Sequence, residues 1–209
     1  MISVDVRDVP DGDAALDEMF DWLRWVDDTF STYKEDSQIS RLGRSEIRLN
    51  DCADDVVLVL EMCEAVRAAT RGYFDAWASG TLDPSGLVKG WSVERASELL
   101  AARGMPRHCI NAGGDVRVRG EPEPERPWGI GVVHPFDRES LTIVVEGCDI
   151  AVATSGTAER GAHVYDPHTH TPATELASVT VVGPDLTYAD AYATAAFAMG
   201  HGCRDWLTG

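Results

Sequence analysis

Residues 90–120, GWSVERASELLAARGMPRHCINAGGDVRVRG, change their periodicity part-way, and that change decides the fold class. Up to Arg103 the pattern is that of a helix, closed by Gly104 and Pro106. Beyond it, HCINAGGDVRVRG offers β-rich runs around Gly113 and Gly114. Further runs follow in WGIGVVHP, LTIVVEGCDIAVATSG and ASVTVVGPDLT, each bounded by Gly, Pro or Asp, with EPEPERP as an exposed loop or hairpin tip. On the N-terminal side, residues 1–8 alternate Ile2, Val4 and Val6 with polar residues, the period of a half-buried strand. Asp13 to Phe30 carries Leu16, Met19, Phe20, Leu23 and Val26 at helical spacing, and a second helix is expected from about Ala53 to Thr70, stopped by Gly72. An alanine-rich helix over Tyr188 to Met199 ends at Gly200. Helix-rich stretches flanking antiparallel-looking strands predict an α+β fold rather than a doubly wound parallel sheet.

A chain of 209 residues, 44% hydrophobic and 25% charged, is long enough to bury one sizeable core, and no linker divides it, so a single domain over 1–209 is expected. The net charge of −17 argues against nonspecific nucleic-acid binding, which needs a basic surface to release counterions. No run of eighteen apolar residues is present, and neither a basic region followed by an apolar run nor a cleavage site opens the sequence, so no membrane insertion and a cytoplasmic location are expected. Five cysteines at irregular spacing suggest neither a disulfide framework nor a zinc site.

Several segments carry possible chemistry. In YADAYATAAFAMG, Asp190 and Thr194 are four apart and project from one helical face among alanines. A carboxylate and a hydroxyl so placed suit a hard cation such as magnesium, or are simply an acid near a helix start and a core threonine. DPSGLVKG, residues 83–90, sets Gly86 and Gly90 around Lys89 just ahead of the third helix, where backbone N–H groups and the lysine can meet a phosphate; the spacing is not that of a Walker A loop, and a turn with a surface lysine is the plainer reading. Gly113 and Gly114 permit either close approach to a ligand or a tight turn. ATSGTAERGAHVYDP concentrates Ser155, Gly156, Arg160, His163 and Asp166; His163 is readable as a base, a phosphate donor or a buried structural histidine. Tyr33 and Phe74 are candidates for stacking on a planar ring, with Asp75 beside Phe74, and His168 and His170 read as exposed loop residues. The six tryptophans share no spacing and read as packing.

Taken in order, FSTYKEDSQISRL, GYFDA, LDPSGLVKGWSVERA, INAGGD, WGIGVVHP, ATSGTAER, HVYDP and YADAYATAAFAMG resemble the successive signature blocks of the ApbE-type FAD:protein FMN transferases, from about residue 28 to 200. The resemblance implies a duplicated T-fold-like arrangement with antiparallel sheets flanked by helices. It also implies Mg2+ as cofactor, FAD as the FMN donor, and an acceptor flavoprotein that receives FMN on a threonine or serine hydroxyl as AMP leaves. By position, Asp190, Thr194 and the backbone carbonyl of Val88 match metal ligands. Tyr33, Tyr73, Phe74, Asp75, Lys89, Glu94, Gly113, Gly114, Ser155 and Gly156 match residues around the flavin nucleotide, and His163 matches a histidine near the phosphates. Asp190, His163 and Lys89 are the implied catalytic groups. Two alternatives use the same site: an FAD pyrophosphatase giving FMN and AMP, and a non-catalytic FAD-binding protein. The sequence departs from the family in starting at MISVDV without a Met-Gly-Thr segment, in a shorter span between Phe74 and Asp83, and in reading DPHTH where a glycine is usual at position 170.

Overall fold

The computed structural model describes residues 2–8, 14–156 and 164–208. Its centre is a five-stranded antiparallel sheet in the order β1-β2-β3-β6-β9, built from β1 (Ile2–Val6), β2 (His108–Ala112), β3 (Asp115–Arg119), β6 (Ala151–Gly156) and β9 (Ser178–Gly183). The turn between β2 and β3 is the Gly113–Gly114 pair, both at positive φ, with Ala112 facing Asp115 across it. Two successive positive φ values are what a tight two-residue hairpin needs, and glycine supplies them without strain.

One face of this sheet is covered by three helices: α1 (Ala14–Phe30), α4 (Ser85–Ala102) and α5 (Leu186–Met199). Met19, Val93, Ala96, Leu100, Leu186, Ala189 and Ala193 pack there against Ile110, Ala112, Ala151 and Ala153. The other face is closed by the hairpin of β4 (Trp128–His134) and β5 (Asp137–Gly147), whose Trp128, Ile130 and Val132 meet Val116, Val118 and Val152. LTIVVEGCDIAVATSG is thus the end of one hairpin and a strand of the main sheet, not one continuous run. A helical end adds α2 (Gln38–Gly43) and α3 (Asp54–Ala69), and the short β7–β8 pair (Tyr165–Asp166 with Thr171–Pro172) and α6 (Cys203–Thr208) complete the described elements outside two 3-10 turns. Trp22, Trp25, Phe30 and Trp91 form a run of aromatic contacts at 5.1–6.1 Å between ring centroids, so these tryptophans are packing, as expected.

Helix α5 is apolar on most of its circumference: Ala191, Ala195 and Met199 enter the helical core, Leu186, Ala189 and Ala193 the sheet–helix core, and Phe197 and Ala198 a small cluster with Val164 and Ala173. A helix with so little polar surface belongs in the middle of a protein. Its alanines let α4 approach closely, and the closest point is Gly90, where a Cβ would stand 2.3 Å from the Leu186 carbonyl oxygen and 2.8 Å from Asp190 Cβ.

One boundary differs from expectation. Helix α4 begins at Ser85, not Gly90, so Gly86 and Lys89 lie in its first turns rather than in a preceding loop. Glycines and a proline suppress the helix signal here, but the turn is fixed by tertiary contact. Asp83 Oδ1 accepts from Ser85 N, and a Cβ on Gly86 would press at 3.3 Å on both Phe74 and Thr194.

Candidate functional site

A cavity of about 340 Å³ opens between the start of α4, the β2–β3 turn, the β4–β5 hairpin and α5. Its lining includes Tyr73, Phe74 and Asp75, Gly86 and Lys89, Gly113 and Gly114, Ser155 and Gly156, and Asp190 and Thr194. Residues more than a hundred positions apart are therefore brought to one site.

At the centre, Lys89 Nζ lies 2.5 Å from Asp115 Oδ2 and 3.3 Å from Asp190 Oδ1. Asp190 Oδ2 accepts from Gly90 N at 2.9 Å, and Asp115 Oδ1 from Thr154 N at 2.9 Å. Two buried carboxylates thus share one ammonium. Burial pushes the Asp190 carboxyl up to about 7, against the attraction of Lys89 and with the repulsion of Asp115 added. Burial also opposes the charge on Lys89, but Asp190 and Asp115 outweigh it and hold the ammonium above its usual range. Asp115 is the functional candidate that sequence reading missed; the only local signal is an aspartate opening a strand, a position that disfavours it.

The chemistry of this group suits a hard divalent cation. With both carboxylates ionised one negative charge is uncompensated in a buried place, and Asp115 Oδ2, despite its ionic contact with Lys89, accepts no aligned hydrogen bond among the described residues. Thr194, one helical turn beyond Asp190, adds a hydroxyl whose Oγ1 is 3.4 Å from Ser155 Oγ. Oxygen donors of this kind are what magnesium takes, with water and phosphate completing its shell. Among the described residues no group of three histidine, cysteine or carboxylate side chains is arranged as a metal site, so water and phosphate would have to supply much of any cation's shell.

The walls offer other functions. Phe74 is buried beneath the cavity with its N–H bonded to Thr70 Oγ1, and Asp75 is held by the Arg67 guanidinium and by Trp77 N. Tyr73 meets the His168 ring edge-on at 4.4 Å, and His168 Nε2 donates to Arg71 O at 3.2 Å. The DPHTH turn is itself organised by Asp166, which accepts from His168 N and Thr169 Oγ1. His170, where a glycine was expected, is held at φ +55 with its N–H bonded to Asp166 O.

Three expected site residues are placed elsewhere. Tyr33 is 97% exposed, on the loop after α1 and away from the cavity lining. Its loop is pinned by Lys34 to Asp27 and Asp28 and by Ser37 and Ser40 to Ser31 O, which leaves the ring in solvent. Glu94 is buried on the far side of α4, bound to Arg117 and Arg119, and does not line the cavity. Val88 lies within α4 with its side chain in the helical core and is absent from the lining; the expected ligand is its backbone carbonyl, on which the side chain's place has no bearing. His163 and Arg160 lie outside the described residues. No helix among the described residues is long and apolar enough to cross a membrane.

Comparison with known proteins agrees with the fold. The model of the ApbE family matches residues 1–81 and 77–208. A Vibrio cholerae protein named FAD:protein FMN transferase is 27% identical over an alignment that takes in 85% of this chain and 71% of that one. Proteins of the same name from Escherichia coli K12 and Treponema pallidum are 30% and 31% identical, but the match spans only 37% and 40% of their lengths. Among solved structures, the flavin transferase ApbE from Vibrio cholerae superposes with a TM-score of 0.84 at 22% identity, over 97% of this chain and 84% of that one. The ApbE protein from Thermotoga maritima gives 0.80 at 22%, over 98% and 84%.

Proposed function

The chain belongs to the ApbE family, and we propose that residues 1–209 form one catalytic unit, a magnesium-dependent transferase that moves FMN from FAD to a threonine or serine hydroxyl of an acceptor flavoprotein, releasing AMP. What carries this reading is the Lys89–Asp115–Asp190 cluster at the centre of a cavity whose rim is glycine backbone and aromatic ring. Several relatives named FAD:protein FMN transferase support the flavin donor and the transferase class.

In this reading the FAD pyrophosphate lies over Gly113, Gly114, Ser155 and Gly156, where backbone approach is not obstructed by side chains, and the isoalloxazine or adenine ring rests against Tyr73 and Phe74. Asp190 and Thr194, with Asp115 adjoining, would hold magnesium, which would supply charge neutralisation on the pyrophosphate. Lys89 adds a positive charge on the same side and keeps both carboxylates oriented. The acceptor hydroxyl oxygen attacks the FMN phosphorus, the bond from that phosphorus to the bridging oxygen breaks, and AMP leaves with that oxygen. Asp190 and His163 are the two candidate acceptors of the hydroxyl proton; metal binding would make Asp190 the weaker base of the two, and His163→Ala tests the alternative. The protein acts here mainly by positioning and electrostatics, which is what phosphoryl transfer requires.

The test is incubation of the protein with FAD and Mg2+, with and without an acceptor domain, following AMP and the acceptor's mass. AMP together with one FMN gained by the acceptor, both lost in Asp190→Ala, is the expected result. Free FMN without acceptor modification makes the protein a hydrolase, and unchanged FAD makes it a binding protein.

A further inference from the structure

Helices α4 and α5 are joined where they cross by two hydrogen bonds that mirror one another. Gly90 N on α4 donates to Asp190 Oδ2 on α5 at 2.9 Å, and Leu186 N on α5 donates to Glu94 Oε2 on α4 at 2.8 Å. On each helix the donor and the carboxylate are four residues apart, so they lie on one face one above the other. Asp190 occupies the cavity end of this clasp, and Glu94 the opposite, buried end.

We propose that Glu94 is a positioning residue for the reaction: it fixes α5 against α4 and thereby places Asp190 and Thr194. This rests on the transferase reading above for its consequence, but its geometry is independent of it.

The physical case has three parts. Leu186 is the first residue of α5, so its N–H has no partner within the helix and must find one outside. Asp185 caps the next two amides, Thr187 N and Tyr188 N, and leaves the first to Glu94. A carboxylate is also favoured at this positive end of the helix.

Glu94 is itself immobilised. Arg117 Nε donates to its Oε1 at 2.9 Å and an Arg119 terminal nitrogen at 3.1 Å. Arg119 Nε then bonds Ser97 Oγ at 2.8 Å, Ser97 O–H bonds His108 Nε2 at 2.7 Å, and His108 Nδ1–H donates to Met105 O at 2.7 Å. A continuous chain of polar groups, buried except at the half-buried Arg119, therefore runs from the end of α4 to the first turn of α5.

The third part is β3. Asp115, Arg117 and Arg119 alternate along it and so share one face. The same strand meets Lys89, the partner of Asp190, through Asp115, and Glu94 through the two arginines. Removing the Glu94 charge leaves Arg117, which is buried, without its counter-ion, and α5 without its first tether. The groups that move in consequence are one turn along α5.

The experiment compares wild type, Glu94→Gln and Arg119→Gln for thermal melting, for Mn2+ binding by electron paramagnetic resonance, and for kcat and KM with FAD. The expected result is a half-saturating Mn2+ concentration about 10-fold higher in Glu94→Gln, as for loss of a group that orients a metal ligand. The expected kinetic change is a lower kcat with KM for FAD within about twofold. Arg119→Gln, whose side chain is partly exposed, shows the same direction with a smaller effect and carries the test if Glu94→Gln does not fold. Folded variants with lowered melting temperature but unchanged Mn2+ affinity and kcat overturn the proposal. Wild-type protein that binds Mn2+ but releases no AMP overturns the transferase reading alone, and the Mn2+ comparison still decides the role of Glu94. Wild type that binds no Mn2+ overturns both.

Discussion

Gly90→Ala sets two known effects against each other at the place where α4 and α5 touch. By helix propensity alone the change stabilises α4 by about 1 kcal/mol. Tertiary contact points the other way: the new Cβ would stand 2.3 Å from Leu186 O, and ordinary contact begins near 3.4 Å, so the helices must part by about 1 Å. Overpacking of this kind costs about 1–3 kcal/mol, and stretching the Gly90 N to Asp190 bond forfeits a charge-assisted hydrogen bond of about 1.5–3 kcal/mol. The contact terms win by roughly 3 kcal/mol. For a chain of this length that is a fall of about 6–12 °C in melting temperature. Differential scanning calorimetry in EDTA reads the stability, and AMP release from FAD reads the site, which should lose activity because Asp190 moves with α5. A variant that melts at or above wild type and retains its rate would show that the α4–α5 crossing is looser than described and that Gly90 is not required by it.

Asp190→Asn should abolish AMP release and also change the pH dependence of stability. The folded carboxyl sits near 7, above its ordinary 3.8, so its contribution is fully present below 3.8 and is lost as pH rises through 7. Metal-free wild type should therefore lose stability progressively between about pH 4 and pH 7 relative to Asp190→Asn, and parallel melting curves would refute this. His108 runs the other way: burial, aided by Arg119 and Arg117, lowers its pKa, so the unfolded chain takes up a proton that the folded chain refuses. Stability should fall as pH drops below about 6.5, and His108→Asn should flatten that slope in urea titrations at pH 7.5 and 5.5. Tyr33→Ala should leave FAD binding within about twofold of wild type by fluorescence titration, whereas Phe74→Ala should cost about 3–5 kcal/mol of stability through the cavity it leaves.

Much of the fold is legible in the sequence because its signals are local. The apolar spacing of Leu16 to Val26 marks α1, and the paired glycines mark the β2–β3 turn. Most of the cavity wall is legible too: Tyr73, Phe74, Lys89, Gly113, Ser155, Asp190 and Thr194 all reach it. What escapes is whatever depends on contact between distant segments. Lys89 reads as a loop residue because the glycines that admit α5 also weaken the helical pattern of α4. Glu94 sits four residues from Gly90 in an ordinary helical sequence, and nothing local tells which of two buried ends it serves. Tyr33 has the right residue type for a stacking platform, but loop hydrogen bonds, not residue type, decide where its ring points.

The position of α5 in the chain has a consequence for how the protein reaches its native state. This helix joins three separate hydrophobic clusters, and its main partner, α4, is about a hundred residues earlier. A nascent chain that has emerged only as far as β9 carries the sheet, α1 and α4 but no centre for them to close upon. Contacts of such wide sequence separation form late and slowly. Until residues 186–199 leave the ribosome, the inner faces of α4 and β6 stay open to water and to chaperones.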